Sequence, residues 1–537
     1  MAKLMAEAGL LDDTEAPTAS KGAFRPTPLK MWALPRQRPI RIFLSTVPYD
    51  NMRLGYGISK KNSKAKVYGY TPPLGLGMLA RVAKEYGCEV VVNDAGALSD
   101  DGPGLLAKIE AFKPDIVGFS VFTSNATQAM QIVDDVRMHP SLRDSLLLIG
   151  GPHVYTFREK TLDEIPADVA VYGEAEIDLI EMLEFYDGKR DSLDKVNGIY
   201  YRAQDGAIRH TEETHSARSL DHFGFPDWDK FDFSLYRNMP GQVRRYPMTS
   251  MVTSRGCPYR CNFCFQTGRF ADKYRRYSPE LVIEEIQRLQ AKYGIKEIQF
   301  WDDIFFINKK WVQTFCHLIK EKKIDLSWSG YARVDLVDPE LLKLAKEAGC
   351  WNIFYGFEVG TQEMLDFLDK RATLEQAVNA CRWTKEAGIV VRGSFMVGLP
   401  NETPEVARKT IEFATKLDPD YANFNIFFPE PGTGLYDLAV KSGRLLSPRY
   451  LGRTNPVYLP DGYKSVEEVK AIQAEAFRRF YFRPSYILKR IMRMRTLEEL
   501  AQYWDGFLML LNMGRDTVRY AFATETSKTG KESRNVF

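Results

Sequence analysis

The chain has 537 residues, 45% of them hydrophobic, which is too long for one core and predicts two or three domains of ordinary size. Lys and Arg total 73 against 70 Asp and Glu, so no whole-molecule field exists to gather a polyanion; small-molecule chemistry is favoured and no nucleic-acid partner is expected. Seven cysteines, three of them between positions 257 and 264, do not make a disulfide framework and point to a reducing, cytoplasmic setting.

Residues 1–38, which include MAKLMAEAGLLDDTEAPTAS and KGAFRPTPLK, lack helical or strand periodicity and an apolar stretch of signal length, and read as a flexible leader. No run elsewhere approaches a membrane span. The apolar runs IRIFLS (41–46), EVVVND (89–94), DIVGFS (115–120), LLLIGG (146–151) and DVAVYG (168–173) follow, with helix-like segments between them. Strands covered on both faces read as such continuous runs, so residues 39–215 predict a doubly wound, Rossmann-like parallel domain. NGIYYRAQDGAIRH, centred on Asp205-Gly206, predicts a closing hairpin. Residues 216–245, with LDHFGFPDWDKFDF, read as a linker.

A second rhythm runs through SMVTS (250–254), EIQFW (297–301), LSWSG (326–330), NIFYGF (352–357), VVRGSFM (390–396) and ANFNIF (422–427). SPELVIEEIQRLQAKYG starts a helix at Ser278-Pro279 and ends it at Gly294, and DPELLKLAKEAG repeats that grammar. The six βα units predict a partial barrel over 246–455, with its active mouth at the C-terminal strand ends. Residues 456–537 are helical in pattern. FRRFYFRPSYILKRIMRMR carries seven basic residues among aromatics, which reads first as a face packed on the barrel and second as a region for surface association with a membrane or an anionic substrate.

RGCPYRCNFCFQ (255–266) holds Cys257, Cys261 and Cys264, soft donors suited to zinc or to an iron-sulfur cluster. Structural zinc takes four ligands, and the nearest further donors, His222, Cys316 and His317, lie on other segments, so a closed zinc site needs a distant partner. A four-iron cluster on three thiolates keeps one iron open for a reactant. Cys88, Cys316, Cys350 and Cys381 lack ligand-like spacing and read as core or helix-face residues.

The CxxxCxxC spacing, with Phe263 before the last cysteine and the first barrel strand before the loop, resembles the radical S-adenosylmethionine superfamily. The likeness extends through FWDDIFF (300–306), GYARVDLVDPELL, FYGFEVGTQEMLDFLDK and VRGSFMVGLPNET (391–403). It implies a 4Fe-4S cluster on the three cysteines whose open iron chelates S-adenosylmethionine, and reductive cleavage to a 5'-deoxyadenosyl radical. It further implies Asp302 and Asp303 at the methionyl ammonium, Arg333, Glu358 and Arg392 at the carboxylate or ribose, and Met396 to Gly398 at the adenine. Glu358 and Arg333 read equally as members of inter-strand ion pairs. A flavodoxin or ferredoxin electron donor is implied as well.

At the strand ends of the first domain stand Ser120, Thr123 and Ser124, Gly150 and Gly151, and Gly173 with Glu174, glycines and hydroxyls suited to a large flat ligand. With TPPLGLGMLARVAKEYG (71–87), which contains Pro72 and Leu74, and with the downstream cysteine loop, they resemble the cobalamin-dependent branch of the superfamily. That resemblance implies cobalamin at these residues and His153 at its nucleotide tail. LSTVPYDNMRLGYG, after the first strand, has no histidine for the lower face of cobalt.

The function implied is methylation of an unactivated carbon, or a phosphinate, of a small-molecule substrate. A second reading is an oxidative cyclase of the anaerobic magnesium-protoporphyrin monomethyl ester type. tRNA methylthiolation has less support, because the N-terminal domain has Cys88 alone where that group carries a second cluster. A non-catalytic cobalamin- or zinc-binding protein is the alternative from outside enzymology.

Overall fold

The computed structural model describes residues 38–48, 70–212, 219–236, 238, 242–266, 274–442, 444–446 and 456–493. All but the last residue of the expected leader, most of LSTVPYDNMRLGYG and the end of the C-terminal region therefore lie outside the described residues. The chain divides into two compact units between residues 237 and 238.

The first unit is built on strands β1 (Arg41–Thr46), β2 (Glu89–Asn93), β3 (Ile116–Ser120), β4 (Leu146–Gly150), β5 (Val169–Val171), β6 (Ile199–Arg202) and β7 (Ile208–His210). Their order is β2-β1-β3-β4-β5-β6-β7, with the first five parallel and the last two pairing antiparallel. Alternate residues enter opposite cores: Ile42 and Leu44 join one apolar cluster, Phe43 and Val117 the other. Both faces are thus covered, which is why the strands read as unbroken apolar runs. The hairpin turns at Gly206, whose φ of 83° suits glycine. The aromatics that suggested a linker in 216–245 are partly interior: Trp228 is buried, and an added Cβ at Gly77 would meet Pro226 and Phe231 at 2.8 Å. Lys230 Nζ donates to the Val90 carbonyl at 2.7 Å, so this stretch is fastened to the first unit.

The second unit holds six parallel strands, β8 (Met248–Met251), β11 (Glu297–Phe300), β12 (Ser327–Ala332), β13 (Cys350–Glu358), β14 (Val390–Val397) and β15 (Tyr421–Ile426), ordered β15-β14-β13-β12-β11-β8. A short ribbon of β9 (Ser254–Arg255) against β10 (Arg275–Arg276) follows the first of them. The first strand lies two residues upstream of SMVTS because the chain leaves the sheet after Met251; the Thr253 N–H goes to the Asp302 carboxylate instead of to a neighbouring strand. The remaining strands match their apolar runs to within two residues. Helices Pro279–Tyr293 and Pro339–Glu347 begin at Ser278 and Asp338, the latter accepting from Leu341 N at 2.9 Å.

Register sorts the strand residues by face. Ser250, Gln299, Ser329 and Asn352 align across four strands, and Tyr331, Phe354, Arg392 and Tyr421 align further along. On the opposite side Phe300, Phe305, Phe315 and Trp328 pack as an aromatic cluster, with Phe300 and Phe305 centroids 4.4 Å apart, and clamp the β11 end against helix Lys309–Glu321.

Candidate functional site

The cysteine loop is held from four directions. Asp302, 2% exposed just past β11, accepts from Thr253 N at 3.1 Å, from Thr253 Oγ1 at 2.7 Å and from Ser254 Oγ, and lies 3.6 Å from Arg276 Nη2. Asn262 donates through Nδ2 to the Phe367 carbonyl at 2.6 Å, and its own carbonyl accepts from Leu435 N at 3.2 Å. Arg333, past the end of β12, stacks on Tyr259 at 3.7 Å and reaches the Cys261 sulfur at 3.8 Å. Cys264 N closes a turn onto the Cys261 carbonyl.

All three thiols are free of disulfides. Burial raises each of them, Cys264 to about 12, and every one also feels charge on another member of the set or on its surroundings. Desolvated thiols of this kind ionise when a metal supplies the compensating charge. Among the described residues no three His, Cys, Asp or Glu side chains bracket a single ion. A cluster puts a different iron on each thiolate and needs no common centre, so the donor set fits an iron-sulfur group.

The structure distributes the other sequence-selected residues unevenly. Asp302 is committed to the loop, and neighbouring Asp303 is exposed and accepts from Gln266 Nε2 at 2.8 Å. Glu358, at φ 65°, pairs with Lys370 at 2.5 Å; an added Cβ at Gly356 would fall 2.2 Å from its carboxylate, so the pair depends on that glycine. Arg333 pairs with Asp335 at 2.9 Å. Arg392 lies half-buried with its guanidinium 5.0 Å from the Phe354 ring. Phe263 and Met396 pack on one apolar cluster with Leu399, Phe427 and Leu435.

Gly398, at φ 78°, makes the turn after β14. Glu402, wholly buried, accepts from Gly398 N, from Leu399 N at 3.2 Å and from Tyr463 OH at 2.9 Å. It thereby ties the turn to the C-terminal region, a role that the VGLPNET motif alone does not announce. Burial raises its carboxyl to about 7. The folded state therefore binds the extra proton, and the stability it confers is present at low pH and lost as pH rises from the ordinary carboxylate range through about 7. Glu402→Gln is expected to remove this dependence, with the variant gaining about 3 kcal/mol on wild type between pH 4 and 8, measured by chemical denaturation.

Asn352 was not foreseen. It is 1% exposed, and neither polar atom of its carboxamide has a hydrogen-bond partner among the described residues. Nothing local marks it, because a single Asn in an apolar strand run gives no signal of which face it takes.

In the first unit, Thr46, Ser120 and Gly150 align at the C-terminal strand ends, where the order reverses between β1 and β3 and open sheets bind ligands. Gly173, at φ 103°, has nothing within 4 Å of an added Cβ, so its backbone faces open space, while an added Cβ at Gly150 would make ordinary contact with Val171 at 3.8 Å. Gly151 is different: an added Cβ would meet the Val121 carbonyl at 2.8 Å, and the glycine serves packing. Thr123 and Ser124 are half-buried beside Phe122, which is 50% exposed and was missed in the sequence. Pro72 is buried, Leu74 opens helix Leu74–Tyr86, and Glu174 precedes helix Ala175–Tyr186. His153 is 2% exposed, with Nε2 3.4 Å from Glu164, so it lies beneath the surface and not on it.

Residues 251–414 match the radical SAM superfamily model, and residues 63–182 match the B12 binding domain model. An uncharacterised methyltransferase of Pyrococcus horikoshii is 33% identical over 432 residues, 79% of this chain and 91% of the relative. The chain belongs to the cobalamin-dependent radical S-adenosylmethionine enzymes. The anaerobic magnesium-protoporphyrin IX monomethyl ester cyclase of Rubrivivax gelatinosus is 30% identical to this radical S-adenosylmethionine enzyme, covering 79% of this chain and 76% of the cyclase. The radical S-adenosylmethionine methyltransferase TsrM of Kitasatospora setae, solved with cobalamin and a [4Fe-4S] cluster, shares its fold at a TM-score of 0.60 and 20% identity, with 82% of each chain covered. No helix among the described residues of the enzyme is long and apolar enough to cross a membrane.

Proposed function

We propose that this enzyme transfers a methyl group from S-adenosylmethionine to an unactivated carbon, or a phosphinate, of a small-molecule substrate. The observation that carries the reading is the three-thiol loop pinned at the C-terminal ends of a six-stranded parallel half-barrel, in a chain that also holds a B12 binding domain. When bound at Cys257, Cys261 and Cys264, the cluster supplies the electron for cleaving S-adenosylmethionine, and cobalamin in the first unit supplies the methyl carrier.

The chain's own residues bind and orient. Phe263, Met396 and the Gly398 turn offer an apolar wall and backbone groups for the adenine. Asp303 and Arg392 offer opposite charges for the amino acid end of the co-substrate. Gly150 and Gly173 leave bare backbone for the corrin face, and Ser120, Thr123 and Ser124 supply hydroxyls beside it. A flavodoxin or ferredoxin donor and a cytoplasmic setting belong to the same proposal.

The cyclase reading is kept because a cyclase is 30% identical to this chain over most of its length. Anaerobically reconstituted protein given methyl-labelled S-adenosylmethionine and candidate substrates separates the two. Label in the product supports methyl transfer, whereas 5'-deoxyadenosine with an unlabelled, ring-closed product overturns it.

A further inference from the structure

We propose that Arg333 is a positioning residue of the iron-sulfur cluster, directing Nη1–H at the Cys261 sulfur and raising the reduction potential of the cluster, and is not the group that holds the carboxylate of S-adenosylmethionine. The inference rests on the reading of the three thiols as cluster ligands.

The guanidinium is already apportioned. Nε donates to Asp335 Oδ1 at 2.9 Å, and Nη2 donates to the Lys370 carbonyl at 2.6 Å and to Asp335 Oδ2 at 3.2 Å. Tyr259 covers the guanidinium at 3.7 Å, and the residue is 5% exposed. A carboxylate is best held through two parallel N–H bonds from one edge of the fork. Both edges that include Nη2 are occupied by protein oxygens, which leaves Nη1, and Nη1 lies 3.8 Å from the Cys261 sulfur.

Each thiol of the loop has its own donor. The backbone N–H of Tyr259 bonds to Cys257 and that of Gln266 to Cys264, while Cys261 receives a charged side chain. A hydrogen bond and a positive charge at a cluster sulfur stabilise the reduced, more negative state, so the potential rises. Asp335, fixing Nε and Nη2, sets the direction in which Nη1 points.

The test is a redox titration, followed by electron paramagnetic resonance, of the full chain reconstituted anaerobically without S-adenosylmethionine, for wild type and Arg333→Met, Arg333→Gln and Arg333→Lys. Met and Gln are expected to move the midpoint to lower potential, with Lys between them and wild type, while S-adenosylmethionine affinity measured by equilibrium dialysis stays unchanged. An unmoved midpoint overturns the proposal; an unmoved midpoint with weakened co-substrate binding returns Arg333 to the carboxylate. Should the Met variant lose its cluster, the Lys and Gln variants decide on the same measurement. Wild-type protein that assembles no cluster would refute the reading of the site itself, a separate outcome.

Discussion

Cys264→Ala protein, reconstituted anaerobically, is expected to retain almost none of the roughly four iron and four sulfide per chain that a cubane brings, and to form no 5'-deoxyadenosine from S-adenosylmethionine. The effect is total, not graded, because no substitute donor stands ready: Cys316, Cys350 and Cys381 are buried on other strands and helices of this unit, away from the loop. The fold should survive, since the loop remains fastened through Asp302, Asn262 and Arg333. Iron content near wild type in this variant would sink the three-thiolate centre.

Asp302→Ala has the second largest expected effect. It strips the hydrogen-bond acceptor from Thr253 and Ser254 and leaves the Arg276 guanidinium, 6% exposed, facing an uncompensated site. Breaking a buried pair by removing one partner costs about 3–5 kcal/mol. Because the lost bonds aim the cysteine loop, iron affinity is expected to fall about 10–100-fold as well. Asp302→Asn keeps the volume and part of the bonding and should fall between. Denaturation midpoints and bound iron read the two consequences separately. A variant that is stable and loaded, but weak in co-substrate binding, would instead put Asp302 at the methionyl ammonium.

The scaffold was legible in the sequence because parallel strands covered on both faces leave continuous apolar runs, and Pro and Gly mark the helices between them. The cysteines were legible because ligand spacing within one loop is a local property. The surrounding residues were not. Asp302 and Asp303 are adjacent and chemically identical, and only the turn after β11 decides that one is buried against Thr253 and the other is exposed. Arg333 finds Cys261 across 72 positions that no motif spans, Glu358 and Lys370 share one motif that does not announce their pairing, and Gly356 matters because the Glu358 side chain folds back over it. The shifted first strand has the same origin, since the hydrogen bond that Thr253 N–H donates to Asp302, 49 positions away, draws it out of the sheet.

The anchors of the cysteine loop reach as far as Leu435, whose N–H holds the Asn262 carbonyl, nearly 180 residues after the first thiol. During synthesis the thiols leave the ribosome long before the walls that orient them. Full iron affinity is therefore expected only once residue 435 has joined the fold, and a chain shortened before it is expected to bind iron more weakly than the full chain.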